Sequence, residues 1–350
     1  MTQPNVVVFG AGSIGCYLGG LLASQGVPVR FIGRPRFQQE LAEHGLTLTH
    51  YERPPVHAAP DAFSFTCDAE NLQHADVVLV TVKSQDSVEA GATLARSVRS
   101  DAIVISLQNG VRNPDTLKSC LPDSTVLGGM VPFNVTRTAP GTFHCGTEGD
   151  LIAAAHASPA LAELQEAFGK AGQTLKLVDD IAATQWGKLL VNLNNAMNTL
   201  TGGTLKAGLM QRPYRQALAL MIEEGLAVVS MAGITPEKFG GAPPEKMIRI
   251  LRLPNFFYRI IMNTIVKIDA SARSSMLDDL EAGRPPEIDY LQGEIVRLAQ
   301  TVGAEAPVNA TVMALVKAAF ETGQSPRMRG EDILAAISLA SRAKSQSGIE

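Results

Sequence analysis

The chain is short of the residues that would tie it to metals, disulfides, nucleic acid or a bilayer. Its four cysteines, Cys16, Cys67, Cys120 and Cys145, are far apart and form no Cys-x-x-Cys pair. A zinc knuckle or redox dithiol is thereby excluded, and reduced thiols are expected. None of the six histidines stands in a spacing such as H-E-x-x-H, so no metal site is expected. Charge of one sign is lacking too: 30 basic residues face 34 acidic ones, the formal net charge is -4, and no basic stripe with interleaved aromatics occurs. Nucleic acid is not an expected partner. No apolar run reaches the roughly 20 residues that span a bilayer. The most apolar late stretch, Asn255 to Val266, is broken by Arg259 and flanked by Arg252 and Lys267, and reads as a packed amphipathic helix. The first residues, Met1-Thr2-Gln3-Pro4, carry no basic region and lead straight into a strand, so no signal peptide and a cytoplasmic location are expected.

What is present is ordinary globular material, 350 residues with 45% hydrophobic and 18% charged content, enough for two domains with their own cores. The first half alternates helical patterns with short apolar runs: Val6-Val7-Val8-Phe9, Val27 to Ile32, Val77 to Val82 and Ile103-Val104-Ile105. Runs without alternation are what strands buried on both faces look like, and helices between them imply a doubly wound parallel sheet. From about Thr125 to Ala154, strands broken by Pro132, Pro140 and Gly141 suggest additions at the sheet edge. After a last strand, Gln173 to Val178, helical periodicity takes over near Ala182–Leu200, Tyr214–Met231, Pro244–Ile250, Ser274–Glu281, Ile288–Val302 and Asn309–Glu321. The expected architecture is α/β: a sheet domain over 1–180, an all-helical domain over 181–342, and a fraying polar tail at 343–350. The long segments Tyr214–Met231 and Ile288–Val302 offer surface for a homodimer.

The segment Gly10-Ala11-Gly12-Ser13-Ile14-Gly15 follows the first strand and opens a helix. In that context Gly10 permits the tight turn, Gly12 lets the backbone approach a pyrophosphate, and Gly15 lets helix pack on strand. A dinucleotide is expected on the helix N-terminus. The second strand ends at Ile32-Gly33-Arg34, where a carboxylate for an unphosphorylated ribose would stand. Arg34, with Arg36 nearby, offers donors to a 2′-phosphate instead, so NADPH is the expected cofactor.

Hydride transfer to a carbonyl also needs a proton donor. No Tyr is followed four residues later by Lys, which removes the donor pair of short-chain dehydrogenases. The most unusual polar run of the second half is Trp186-Gly187-Lys188-Leu189-Leu190-Val191-Asn192-Leu193-Asn194-Asn195, with Lys188 and Asn192 one helical turn apart. Later come Ser274-Ser275-Met276-Leu277-Asp278-Asp279, in which Ser274 can cap a helix, and Glu287, placed by Pro285 and Pro286 to open one.

Taken in order, the glycine loop, Val82-Lys83, Leu107-Gln108-Asn109-Gly110-Val111, Trp186-x-Lys188-x3-Asn192, Ser274-Ser275-Met276-Leu277-x-Asp279 and Glu287-Ile288-Asp289-Tyr290 resemble the ketopantoate reductase family over nearly the full chain. The resemblance implies a Rossmann-like domain, a helical domain related to that of 6-phosphogluconate dehydrogenase, and NADPH-dependent reduction of 2-dehydropantoate to (R)-pantoate in pantothenate synthesis. It makes Lys188 the general acid. It has Glu287 hold the substrate hydroxyl or a cofactor ribose and orient Lys188, Asn192 and Ser275 bind substrate oxygens, and Lys83 and Asn109 face the cofactor, Asn109 at the nicotinamide end beside the substrate. Pantoate-forming members usually carry a second asparagine one turn after Asn192 and another three residues before Ser275; this chain has Ala196 and Ala272 there. Asn194, Asn195 and Asn198 are the residues available to compensate, and the segment Pro254–Lys267 is longer than a compact member needs. A reductase of a different small 2-oxo acid, or a non-catalytic NADPH sensor on the same scaffold, are the other readings.

Overall fold

A computed structural model describes residues 3–70, 72–239, 242–265 and 272–347 of the chain. It divides into two compact units, Met1–Ile181 and Ala182–Glu350.

Among its described residues the first unit contains twelve strands: β1 (Val6–Phe9), β2 (Val29–Ile32), β3 (Leu46–His50), β4 (Val56–Ala58), β5 (Phe63–Thr66), β6 (Val77–Val80), β7 (Ile103–Ser106), β8 (Thr125–Met130), β9 (Val135–Ala139), β10 (Thr142–Cys145), β11 (Leu151–Ala154) and β12 (Leu175–Val178). Its helices are α1 (Ser13–Ala23), α2 (Pro35–His44), α3 (Ser87–Ser97), α4 (Asn113–Cys120) and α5 (Pro159–Lys170). Eight strands form one sheet in the order β12-β11-β8-β7-β6-β1-β2-β5. From β5 to β8 every neighbouring pair is parallel. Parallel neighbours need a crossover, and α1, α3 and α4 supply three of them. Every residue of β1, β6 and β7 is buried, as a sheet covered on both faces requires.

The expected edge additions are only partly that. β11 joins the sheet antiparallel to β8, but β9 and β10 leave it and pair with β3 and β4 in a second sheet, ordered β4-β3-β10-β9. In β3 the buried Leu46 and Leu48 alternate with more exposed Thr47 and Thr49, a one-sided strand whose leucines face α1. A Cβ on Gly20 of α1 would come within 3.0–3.2 Å of those two leucines, so glycine is what lets the small sheet close on that helix.

Among the described residues the second unit is built of helices: α6 (Ile181–Asn192), α7 (Asn194–Thr201), α8 (Leu205–Leu209), α9 (Arg212–Met231), α10 (Pro244–Arg252), α11 (Asn255–Ile265), α12 (Ser275–Glu281), α13 (Gln292–Thr301), α14 (Pro307–Thr322) and α15 (Gly330–Ser347). The segment Tyr214–Met231, offered as homodimer surface, is α9, packed against α10, α13, α14 and α15 with half of its residues buried. Two expectations need correction. The segment Ile288–Val302 is not one helix, because Leu291 (φ −120°, ψ −92°) separates a 3-10 turn, Ile288–Tyr290, from α13. The tail does not fray at residue 343, since α15 continues to Ser347; residues 348–350 lie outside those described.

The α10–α11 connection hangs on a buried cation. The Arg215 side chain donates to the carbonyls of Leu209, Leu251 and Leu253 and to Asn255 Oδ1, with the Tyr258 ring 3.9 Å from its guanidinium. Neutral acceptors and a ring face here replace a carboxylate partner. In α11 itself Tyr258 is buried, but Phe256, Phe257 and Ile260 are exposed, so this helix is less fully packed than the sequence suggests. The far end of Pro254–Lys267 falls among residues 266–271, outside those described.

Among the described residues no helix is long and apolar enough to cross a membrane.

Candidate active site

In the first unit, four of the residues singled out by sequence follow the C-terminal ends of four adjacent strands. Gly10 follows β1, Arg34 follows β2, Lys83 follows β6 and Asn109 follows β7, and these strands stand side by side as β2-β1-β6-β7. The strand order reverses direction at β1, and the carboxyl ends around such a switch point form a crevice suited to a ligand.

The glycine loop is shaped by contact on one side and space on the other. Gly10 has φ +116°, and a Cβ there would stand 2.6 Å from the Val82 nitrogen. Its carbonyl accepts the Thr81 hydroxyl at 2.7 Å, which ties the loop to the end of β6. A Cβ on Gly15 would strike the Gly10 carbonyl and stand 2.6 Å from Thr81 Oγ1 and 3.0 Å from Val8 Cγ1. Gly12 is different, because a Cβ added there meets nothing within 4 Å. Gly12 is the N-cap of α1, without a side-chain cap and with no acid in the first turn. Ala11 is buried with its N–H given to the Ile32 carbonyl, so the N–H groups of Ser13, Ile14 and Gly15 are the ones that a helix start leaves for an outside acceptor. The loop fits a pyrophosphate. Arg34 is exposed at the N-cap of α2, and Arg36 lies over the Phe37 ring at 5.0 Å.

Lys83 and Asn109 are set by a buried polar network. The Ser84 hydroxyl donates to the Asn109 carbonyl (3.0 Å), the Asn113 carboxamide donates to that carbonyl (2.5 Å) and to Ser84 Oγ (3.1 Å), and the Ser87 hydroxyl donates to Asn113 Oδ1 (2.9 Å). Gln108 completes it, donating to Ser87 Oγ at 2.8 Å and accepting from the Ser106 hydroxyl at 3.0 Å. A fully satisfied buried network of this kind is rigid. Sequence reasoning missed Thr81, Ser84, Ser87, Ser106 and Asn113; their one signal was a cluster of small polar residues just past two apolar strands.

In the second unit, α6 carries Lys188 and Asn192 one turn apart, both half-buried, while Leu189, Leu190 and Leu193 are buried on the other faces. Glu287 is buried too and lies close enough to act on Lys188. Burial pushes the Lys188 ammonium down from its ordinary 10.5 to about 8, and the Glu287 carboxylate pulls it partly back up. Glu287 does not open a helix as expected; it is the N-cap of the 3-10 turn before α13. The helix bearing Lys188 is braced one turn earlier: the Glu237 N–H donates to the Ala183 carbonyl (3.0 Å) and the Thr184 hydroxyl to Glu237 Oε2 (2.7 Å). Gly187 makes this approach possible, since a Cβ there would strike the Glu237 carbonyl.

Ser275 is exposed at the start of α12, and Ser274 is its N-cap, accepting the Leu277 N–H at 3.2 Å. The start of α12 is held by Asn198, whose Oδ1 accepts the Ser274 N–H (2.9 Å) while its Nδ2 donates to the Gly203 carbonyl (2.8 Å). At the junction of α6 and α7, Gln292 Nε2 donates to the Leu193 carbonyl at 3.0 Å. Asn198 and Gln292 were not recognised as supports from sequence. Ala196, where an asparagine was looked for, is fully buried, and the carbonyl of Ala272 accepts the Leu205 N–H at 2.9 Å.

Comparison with known proteins places these features. Residues 6–158 match the family model described as ketopantoate reductase PanE/ApbA, and residues 180–320 match the model of its C-terminal part. The 2-dehydropantoate 2-reductase of Pyrococcus horikoshii is 27% identical over 326 residues, covering 91% of this chain and 98% of that protein. That of Halobacterium salinarum is 28% identical over 324 residues, covering 91% and 100%. The solved PanE/ApbA family ketopantoate reductase of Ralstonia eutropha JMP134 is similar with a TM-score of 0.77 and 29% identity, over 91% of this chain and 99% of that one.

Proposed function

The chain belongs to the ketopantoate reductase family, a family of nicotinamide-dinucleotide-dependent oxidoreductases acting on CH–OH groups, and on that premise we propose that it reduces 2-dehydropantoate to (R)-pantoate with hydride from NADPH and a proton from Lys188. The observation that carries the reading is Lys188 itself, half-buried, brought down to about 8 by burial and held from falling further by Glu287. A free lysine is a poor acid at neutral pH, whereas one near 8 holds its proton at pH 7 and can release it in the reaction.

Bound NADPH would supply the hydride. The chain's residues do the rest. The glycine loop and the start of α1 hold the pyrophosphate, Arg34 takes the 2′-phosphate, and Lys83 and Asn109 line the cofactor, Asn109 at its nicotinamide end. Asn192 and Ser275 bind substrate oxygens, and Glu287 a substrate or ribose hydroxyl. Lys188 Nζ gives its proton to the carbonyl oxygen, and its charge stabilises the alkoxide forming there.

Steady-state oxidation of NADPH with a panel of small 2-oxo acids tests this reading. Turnover of 2-dehydropantoate well above the other acids is expected; its rejection alongside turnover of another acid would replace the substrate but leave the chemistry. Ala196, standing where pantoate-forming members usually carry an asparagine, favours that second reading, because it offers a substrate no amide. Arg34→Ala is expected to raise the Michaelis constant for NADPH about tenfold, the low end for a hydrogen bond to a charged group at an exposed site, and to leave NADH kinetics alone. Equal effects on both cofactors would remove Arg34 from phosphate recognition.

A further inference from the structure

Four asparagines crowd the α6–α7 junction, and the structure separates them into two kinds. Asn194 Oδ1 accepts the Tyr214 hydroxyl at 2.6 Å, and Asn198 bridges the Gly203 carbonyl and the Ser274 N–H. These two serve the fold. Asn192 and Asn195 are half-buried, and among the described residues no such tie holds their carboxamides.

Helix geometry places the second pair with the proton donor. Leu193 keeps helical angles (φ −55°, ψ −25°), so the turn of about 100° per residue carries through the junction. Counted from Lys188, Asn192 and Asn195 fall within an arc of about 60° that includes Lys188, whereas residues 194 and 198 lie about 80–120° off it. Asn192 is about 6 Å from Lys188 along the axis and Asn195 about 10 Å. A substrate whose carbonyl lay at Lys188 would bring the group next to that carbonyl within reach of Asn192 and its far end towards Asn195. The Ser274 hydroxyl, donating to the Asn195 carbonyl at 3.3 Å, draws the start of α12 to the same place.

We propose that Asn195 reads the far end of the 2-oxo acid, its carboxamide hydrogen-bonding a hydroxyl there, and so determines which acids are accepted. This rests on the reductase reading. A carboxamide both donates and accepts, which matches a hydroxyl and rewards neither a methyl nor bare hydrocarbon.

The test compares 2-dehydropantoate with 3,3-dimethyl-2-oxobutanoate, the same skeleton without the hydroxyl, in wild type, Asn195→Ala and Asn195→Ser. Asn195→Ala is expected to lower kcat/KM for 2-dehydropantoate about 10- to 100-fold, mainly through KM. It should change kcat/KM for the dimethyl acid less than twofold. Asn195→Ser, which keeps a shorter donor, should fall between, and its thermal midpoint reports any folding defect separately. Equal losses on both acids, or none on either, would overturn the proposal while leaving the reductase reading standing. A wild-type enzyme that reduces neither acid overturns both.

Discussion

Replacing Lys188 with alanine is expected to lower kcat for 2-oxo acid reduction by about 10²- to 10⁴-fold, the range that a positioned general acid contributes. The loss should fall on kcat, because the proton moves only in the transition state. Dinucleotide affinity, followed by NADPH fluorescence, should stay within twofold, since the glycine loop proposed to bind it belongs to the other unit. The substitution also leaves the buried Glu287 carboxylate without the cation that acts on it. Turnover within a few-fold of wild type would move the proton donor elsewhere and remove the central role given to α6.

The second large effect separates two glycines that a pattern of glycines treats alike. A Cβ on Gly15 collides with the Gly10 carbonyl, Thr81 and Val8, so Gly15→Ala should destabilise the first unit by about 1–3 kcal/mol, the cost of overpacking a filled site. A thermal midpoint lower by about 2–4 °C for each of those kcal/mol is the readout. A Cβ on Gly12 meets nothing of the protein within 4 Å. Gly12→Val should therefore melt like wild type and yet bind NADPH roughly 5- to 150-fold more weakly, because it fills space reserved for the pyrophosphate. A Gly12→Val protein with normal NADPH affinity would contradict the placement of the dinucleotide. So would one that loses stability as Gly15→Ala does, since the position would then be structural.

These two glycines also show what could be read from sequence and what could not. The strand-loop-helix order around Gly10, Gly12 and Gly15 is local, and so are the runs Val6–Phe9, Val77–Val80 and Ile103–Ser106, whose unbroken apolar character reports burial on both faces. The doubly wound sheet and helical second unit follow from such signals. β3 and β4 are not continuous apolar runs; Leu46-Thr47-Leu48-Thr49 alternates as a one-sided strand should, a fainter signal than that of the buried strands. That β10 pairs with β3, taking β9 with it, rather than with the main sheet depends on a partner nearly a hundred residues away, which no local pattern encodes. The same holds at the site. Lys188 and Asn192 share a face by spacing alone, but Asn198 supporting Ser274 spans 76 residues and Gln292 reaching Leu193 spans 99. The four asparagines look equivalent in the sequence, and only their partners distinguish the two that hold the fold from the two that share a helix face with Lys188.

The most direct test of the account is the pH dependence of kcat/KM for NADPH-driven reduction in wild type and in Glu287→Gln. The reaction needs Lys188 protonated, so wild-type activity should fall as pH rises through about 8, where the buried ammonium titrates. Glu287 raises that value, so removing its charge should let burial push Lys188 lower still, and the alkaline limb should move to lower pH whatever happens to the plateau rate. A limb that stays in place in Glu287→Gln, or moves to higher pH, would contradict the assignment of Lys188 as the proton donor under the control of Glu287.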